Sequence, residues 1–380
     1  MQADLFDYLL PPNRIAQAPI QPRDASKLLV CQVKGRLGAW ESGFSYSHKH
    51  FSDISEILGS QDFVVVNDSK VLPVRLLGQR QIRDRSVTQP VGHVEVLLLK
   101  RLSAELDLAP GAETWEALVH LAAKIKPGLT FLFEPGLVGE VVSTHEERIE
   151  SGGIVRLKFS GVALERMGMQ KWLERHGHVP LPPYIEREDT GADKDLYQTV
   201  YASHFGSAAA PTAGFHFTDK LLEKLKNKGV EIATVTLHVG LGTFRPIKVD
   251  NIDDHQMHEE TFKITDEFAC RFDAAKRDGK RIVAVGTTVV RTLESWAEHG
   301  SGPERRPGTF ATSKFIKPGY TFNAVDDLIT NFHLPRSTLL VLIGAAMGIE
   351  PMREAYQQAI AGGYRFFSYG DAMMIRGSKL

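Results

Sequence analysis

Two short runs of this chain, Phe63-Val64-Val65-Val66 and Ile282-Val283-Ala284-Val285, are apolar at every position. A strand with one wet face alternates apolar and polar residues, so an unbroken run means that both faces are covered. Covering both faces takes helices on each side of a sheet, the layered α/β arrangement. The pattern from Thr212 onward agrees. Thr218 caps a helix built on Leu221, Leu222 and Leu225, and Gly229 ends it. Val235, Leu237 and Val239 then alternate with Thr234, Thr236 and His238, as in a strand. Thr265 starts a helix carrying Phe268 and Phe272 that stops at Gly279, and a further helix is predicted from about Val289 to Glu298. Ser337 caps a nearly all-apolar helix closed by Gly348, and a helix through Ala355 to Ile360 precedes a C-terminal strand.

Between about Val74 and Phe159 the character changes. Val94–Leu99, Leu129–Phe133 and Gly139–Val142 read as short strands, and Ile154–Phe159 alternates apolar residues with Arg156 and Lys158. Lys126-Pro127-Gly128 and Glu134-Pro135-Gly136 punctuate them. Closely spaced short strands predict a small antiparallel β-barrel. The expected architecture is therefore a mixed-sheet α/β domain over residues 1–73 and 160–380, with an inserted barrel domain over residues 74–159.

Composition narrows the class. With 380 residues, 43% of them hydrophobic and 24% charged, the chain can bury a sizeable core without disulfides or metals. Its two cysteines, Cys31 and Cys270, suit a reducing compartment. The acidic start, Met1-Gln-Ala-Asp-Leu-Phe-Asp-Tyr8, lacks the basic opening of a signal peptide. The longest apolar stretch, Leu339–Met347, falls far short of the roughly 18 residues of a membrane span. A cytoplasmic, membrane-free monomer is expected. The net charge of −1 excludes nucleic-acid binding through a strong overall field, so any RNA must meet a local patch. Arg75, Arg80, Arg83 and Arg85 form one candidate patch; Lys276, Arg277, Lys280 and Arg281 another; Arg305 and Arg306 a third. A solvated face is the plainer reading of each.

Several segments place reactive side chains where α/β sheets bind ligands, outside the carboxyl ends of strands. The apolar run 282–285 passes through Gly286 into Thr287 and Thr288 at a helix start, which suits a carboxylate, phosphate or ribose. Arg291 and Glu294, three residues apart, share a face of that helix; a surface ion pair is the plain alternative. Thr236 and His238 precede Gly240, Gly242 and Arg245. Pro211–Thr218 places His216 before a helix, and Asn331-Phe-His333 repeats the arrangement before Ser337. His255, His258, Glu259 and Glu260 cluster, yet no His-Glu-x-x-His spacing and no nearby Cys supports a metal site. Tyr364–Asp371 mixes aromatics with Arg365, Tyr369 and Asp371. Neither a GxGxxG turn nor a Walker loop follows the first strand. Residue patterns alone define an α/β enzyme with a polar site rich in His and Arg.

Taken together, the segments resemble one family. Val235-Thr-Leu-His-Val-Gly-Leu-Gly-Thr-Phe-Arg-Pro246, Ala210-Pro-Thr-Ala-Gly-Phe-His-Phe-Thr218, Val285-Gly-Thr-Thr-Val-Val-Arg-Thr-Leu-Glu294, Thr330-Asn-Phe-His-Leu-Pro335 and Tyr364-Arg-Phe-Phe-Ser-Tyr-Gly-Asp-Ala-Met373 are similar to hallmark segments of the S-adenosylmethionine:tRNA ribosyltransferase-isomerases. So are Leu181-Pro-Pro-Tyr-Ile185, Tyr197-Gln-Thr-Val-Tyr-Ala202, Val66-Asn-Asp-Ser69 and Phe6-Asp-Tyr-Leu-Leu-Pro11. They cover the chain in order, with small departures at Phe215 and Val74 and an unusual polar loop near Gln79–Pro90.

The resemblance implies an α/β domain with an inserted barrel. It implies a reaction in which S-adenosylmethionine, consumed as a substrate and not held as a cofactor, gives its ribosyl group to 7-aminomethyl-7-deazaguanine at the wobble position of a tRNA. The products would be epoxyqueuosine-tRNA, adenine and methionine. Such chemistry needs a base beside the sulfonium, a neutral acceptor amine and a donor for departing adenine. His216, His238, His258 and His333 are the candidates for proton transfer, unranked, since imidazole titrates near neutrality. Arg245, Arg291 and Arg365 suit the methionine carboxylate or a phosphate, and Glu259 or Asp371 the acceptor amine or ribose hydroxyls. Thr236, Gly240, Gly242, Gly286, Thr287, Thr288, Glu294, Asn331 and Tyr369 complete the expected substrate-binding set. Two other classes remain open: a metal-dependent hydrolase, and a non-catalytic RNA-binding module that uses the barrel.

Overall fold

The structure is a computed structural model that describes residues 1–34, 43–84, 87–102, 112–121, 124–143, 146–147, 153–240, 246–300, 302 and 305–377. The chain forms two compact units, one of Met1–Lys70, Pro182–Arg187 and Asp195–Leu380, the other of Val71–Leu181 and Glu188–Lys194.

The larger unit is built on a nine-stranded mixed sheet. Across it the strands run Gly308–Thr312, Glu260–Ile264, Glu231–Leu237, Asp62–Asn67, Arg281–Val285, Asp327–Asn331, Ala372–Arg376, Lys27–Lys34 and Gly43–His50. The four central strands, from Glu231–Leu237 to Asp327–Asn331, are mutually parallel. The two apolar runs lie among them, and successive side chains enter different cores. Phe63, Val65, Ile282 and Ala284 pack in one with the helices Asp266–Arg277, Thr287–Ala297, Thr338–Met347 and Ile349–Ala361. Val64, Val66, Val283 and Val285 pack in the other with Phe51, Ile54, Leu221 and Leu225. Double coverage is thus the physical reason for the unbroken apolar pattern. The expected caps form: Thr218, Thr265 and Ser337 each accept a backbone N–H from the third residue on.

The smaller unit contains a closed six-stranded antiparallel barrel. Its strands run in the order Val155–Ser160, Glu113–His120, Val87–Arg101, Arg75–Asp84, Thr130–Phe133 and Leu137–Val141, the last returning to the first. Phe131, Phe133, Leu157 and Phe159 fill it and are fully buried. Gly78 is required here, because a Cβ would lie 2.5 Å from the Phe133 ring. The unit extends beyond the strand-rich segment. The helix Val162–His176 belongs to it and is fastened by Trp172, whose Nε1 donates to the Pro135 carbonyl at 3.1 Å.

Candidate active site at the carboxyl edge of the parallel strands

The four central strands end side by side at Asn67, Leu237, Val285 and Asn331. Asn67 joins two of these ends. Its Nδ2 donates to the Leu237 carbonyl at 3.0 Å and its Oδ1 accepts the Leu237 N–H at 3.0 Å. Beyond the ends lies a cleft lined by Pro211, Thr212, Val239, Gly286, Thr287, Thr288, Thr330, Asn331, His333, Phe367 and Ser368. It is a half-open cleft of about 50 Å³.

One wall is the start of the helix Thr287–Ala297. Gly286 occupies its N-cap with φ +94° and contributes no side-chain cap. The first-turn N–H groups of a helix have no intrahelical partner, and with the helix dipole behind them they suit an anionic or hydroxyl oxygen.

The histidines divide sharply. His216 is buried with both ring nitrogens engaged, Nδ1 with Ser26 Oγ at 2.7 Å and Nε2 with the Asn331 amide at 3.2 Å. Burial, with Arg365 and Arg23 adding to it, lowers its pKa to about 3. Asn331 also donates to the Phe367 carbonyl and accepts from Thr212 Oγ1, so His216 and Asn331 shape the cleft wall as a satisfied network. His333 lines the cleft, its Nε2 2.9 Å from Thr330 Oγ1, and burial lowers its pKa to about 3. His238 is half-buried beside the cleft residue Val239. Its pKa is lowered by burial and by His204, against the opposing pull of Asp68. Its Nδ1 is buried and has no hydrogen-bond partner. His258 and Glu259 are exposed, in the connection before Glu260–Ile264.

Asp68 and His204 stand next to His238 and are absent from the sequence-derived candidates. Thr236 is anchored here, its Oγ1 donating to Asp68 Oδ1 at 2.7 Å. Asp68 Oδ2 lies 3.1 Å from His204 Nδ1 and accepts from Ser203 Oγ at 3.2 Å. One available signal pointed to Asp68: it follows a buried strand at its carboxyl end. No periodicity marked His204.

Other expected ligand residues are occupied by the fold. Arg291 is buried against Glu260, and its Nε donates to the Lys314 carbonyl at 3.0 Å. Glu260 also accepts the Gly240 N–H at 3.0 Å, so Gly240 and Arg291 are parts of one internal clamp. Glu294 forms no pair with Arg291. It accepts from Tyr320 Oη and from the N–H groups of Asn323, Ala324 and Val325, at 2.9–3.0 Å. Asp371 accepts the N–H groups of Lys27 and Arg365 and binds the Arg365 guanidinium at 3.2 Å, which leaves no free carboxylate for an amine. Tyr369 is buried between Tyr197 and Phe215. Gly242 and Arg245 lie outside the described residues.

Five of the ten basic candidates are paired within the fold; Arg85 and the Arg83 side chain lie outside what the structure describes. Arg75 pairs with Glu95 and Asp189, Lys276 with Asp326, Lys280 with Glu231, Arg281 with Asp62 and Arg305 with Asp273. Among the described residues, no three His, Cys, Asp or Glu side chains are grouped to hold a metal. Nor is any helix among them long and apolar enough to cross a membrane.

Fold and site define an α/β enzyme with a small cleft at the ends of its parallel strands, carrying a closed β-barrel in a second unit. A family model described as queuosine biosynthesis protein matches residues 3–375, and the chain belongs to that family. It is 46% identical to the S-adenosylmethionine:tRNA ribosyltransferase-isomerase of Heliobacterium modesticaldum, over 99% of this chain and all of that one. The proteins of the same name from Moorella thermoacetica and Desulfitobacterium hafniense match at 46% and 43%, again over 99% of this chain and all of theirs. Among solved structures, the S-adenosylmethionine tRNA ribosyltransferase of Thermotoga maritima matches with a TM-score of 0.51 and 34% identity, covering 98% of this chain and 99% of that one.

Proposed function

We propose that this chain is an S-adenosylmethionine:tRNA ribosyltransferase-isomerase of queuosine biosynthesis. It transfers and isomerises the ribosyl group of S-adenosylmethionine onto 7-aminomethyl-7-deazaguanine at the tRNA wobble position. Epoxyqueuosine-tRNA, adenine and methionine leave. The observation that carries this reading is the end-to-end identity with relatives of that name.

The site chemistry supports it. The uncapped helix start at Gly286–Thr288 takes an oxygen of the sulfonium substrate, either its methionine carboxylate or a ribose hydroxyl. His216 and Asn331, locked by their own hydrogen bonds, hold the wall in place and do not move protons. His238, just past the end of the strand Glu231–Leu237, has a buried Nδ1 without a hydrogen-bond partner, and it serves the reaction as a neutral imidazole. His333 faces the cleft as a hydrogen-bonding group. S-adenosylmethionine is a substrate here, and no cofactor is needed.

The test uses S-adenosylmethionine labelled either in the ribose or in the methyl group, with tRNA carrying the deazaguanine precursor. The ribose label should enter tRNA while the methyl label leaves with methionine. Methyl label retained in tRNA would make the protein a methyltransferase and overturn the reading.

A further inference from the structure

The strand His204–Ser207 pairs with Ser69–Val71, and its end meets Val239. Ala208 N–H donates to the Val239 carbonyl at 3.0 Å, Val239 N–H donates to Ser207 Oγ at 2.8 Å, and Ala209 bridges to Val239. Asp68 directly follows Asn67, the carboxyl end of a central strand, whose Nδ2 lies 3.5 Å from Oγ1 of the cleft residue Thr288, so the Asp68–His204 pair stands at the same carboxyl edge. Gly206, at φ +140°, lies directly beneath the His238 ring: a Cβ there would sit 2.8 Å from His238 Cε1 and 2.9 Å from Nδ1. The glycine therefore leaves room for the His238 imidazole at this place.

His204 has the geometry of an oriented base. Asp68 is buried and its carboxylate can only accept hydrogen bonds; with Ser203 Oγ donating to that carboxylate, His204 Nδ1, 3.1 Å from Asp68 Oδ2 and 3.0 Å from Ser203 Oγ, carries the proton toward both. That fixes the tautomer with Nδ1–H toward Asp68 and leaves the Nε2 lone pair free. Asp68 is itself fixed, by Thr236 Oγ1 on one oxygen, Ser203 Oγ on the other, and its own N–H on the Val235 carbonyl. The His204 side chain is 54% exposed while Asp68 is 7% exposed, so a buried carboxylate aims an accessible ring. A His held by a buried Asp that fixes its tautomer is the arrangement that lets imidazole act as a general base.

We propose that His204 is the catalytic base of the ribosyl transfer, with Asp68 as its positioning residue. The assignment rests on the function proposed above. In the step assigned to it, His204 Nε2 forms a bond to a proton of the ribosyl carbon beside the sulfonium. The C–H bond breaks and its electron pair stays on carbon. The imidazole becomes imidazolium and the sulfonium becomes a neutral ylide, so charge is conserved. His238, kept neutral by burial and by its neighbour His204, is left to donate a hydrogen bond to departing adenine.

The experiment compares wild type, His204→Ala and Asp68→Asn with S-adenosylmethionine and precursor tRNA, reading kcat, KM, urea unfolding and rescue by free imidazole. His204→Ala should lose about 10²–10⁴-fold in kcat, keep its KM for S-adenosylmethionine and its unfolding midpoint, and regain part of the rate with imidazole. Asp68→Asn should lose kcat without imidazole rescue, because the ring is present but wrongly held. Near-normal kcat in His204→Ala, or a loss confined to KM or stability, overturns the assignment even if Asp68→Asn folds poorly. A wild type that transfers no ribosyl group overturns the function itself, and the assignment with it.

Discussion

His216 and His333 are neutral in the folded protein down to about pH 3, whereas an imidazole in the unfolded chain takes a proton near pH 6.5. Between those values the unfolded state binds more protons, so stability falls as pH falls. Each ring contributes about 1.4 kcal/mol per pH unit across that window. Urea unfolding should therefore show a loss of roughly 3–4 kcal/mol between pH 6.5 and pH 5; a flat profile would mean that the rings are solvated. Gly206 gives a sharper test of His238. Gly206→Ala puts a methyl against the His238 ring at a strained φ, and displacing a reacting group by about 1 Å costs roughly 10²-fold in rate. Unchanged turnover would show that His238 has no part in the chemistry. At this scale the sequence was informative about which residues are polar and less so about who binds whom. Strand alternation and the nearby glycines drew attention to His238, which lies just past the end of the strand Glu231–Leu237. Nothing in the local pattern announced that Arg291 would pair with Glu260 or that Glu294 would hold the N–H groups of 323–325. Those partners come from segments that only the folded sheet brings together.

Elements were easier to read than partners, because caps and apolar runs are local. Thr218, Thr265 and Ser337 cap the helices that their positions predict, and the runs at 63–66 and 282–285 are central strands. The strand Glu231–Leu237 shows where alternation misleads: Val235, Thr236 and Leu237 are all buried, since Thr236 is covered while bonded to Asp68. The helix Val162–His176 left a weak signal, with Gly168 at φ +75° interrupting it. The helix Thr287–Ala297 carries the most consequential tertiary pair. Arg291→Met should leave the Glu260 carboxylate buried without its cation, at a cost of about 3–5 kcal/mol. It should also loosen Gly240, whose N–H Glu260 holds. Glu260→Gln added to Arg291→Met should recover part of the loss. A single variant as stable as wild type would show that the pair is solvated and dispensable.

At the scale of the molecule, the change from strand–helix alternation to short strands marked the barrel, because each layer pattern has its own period. The extent of the barrel's unit was less legible, since Val162–His176 looks in sequence like any surface helix and is claimed by the barrel through Trp172. The near-neutral charge means that tRNA is not held by the overall field, and half of the basic candidates are already paired within the fold. The central claim is that the chemistry belongs to the carboxyl edge of the four parallel strands. A crystal structure of the protein with S-adenosylmethionine tests it directly. The account predicts an oxygen of the ligand within hydrogen-bonding distance of the N–H groups of Thr287 or Thr288, and the ribose beside His204 and His238. S-adenosylmethionine held entirely by the barrel, with that edge empty, would contradict it.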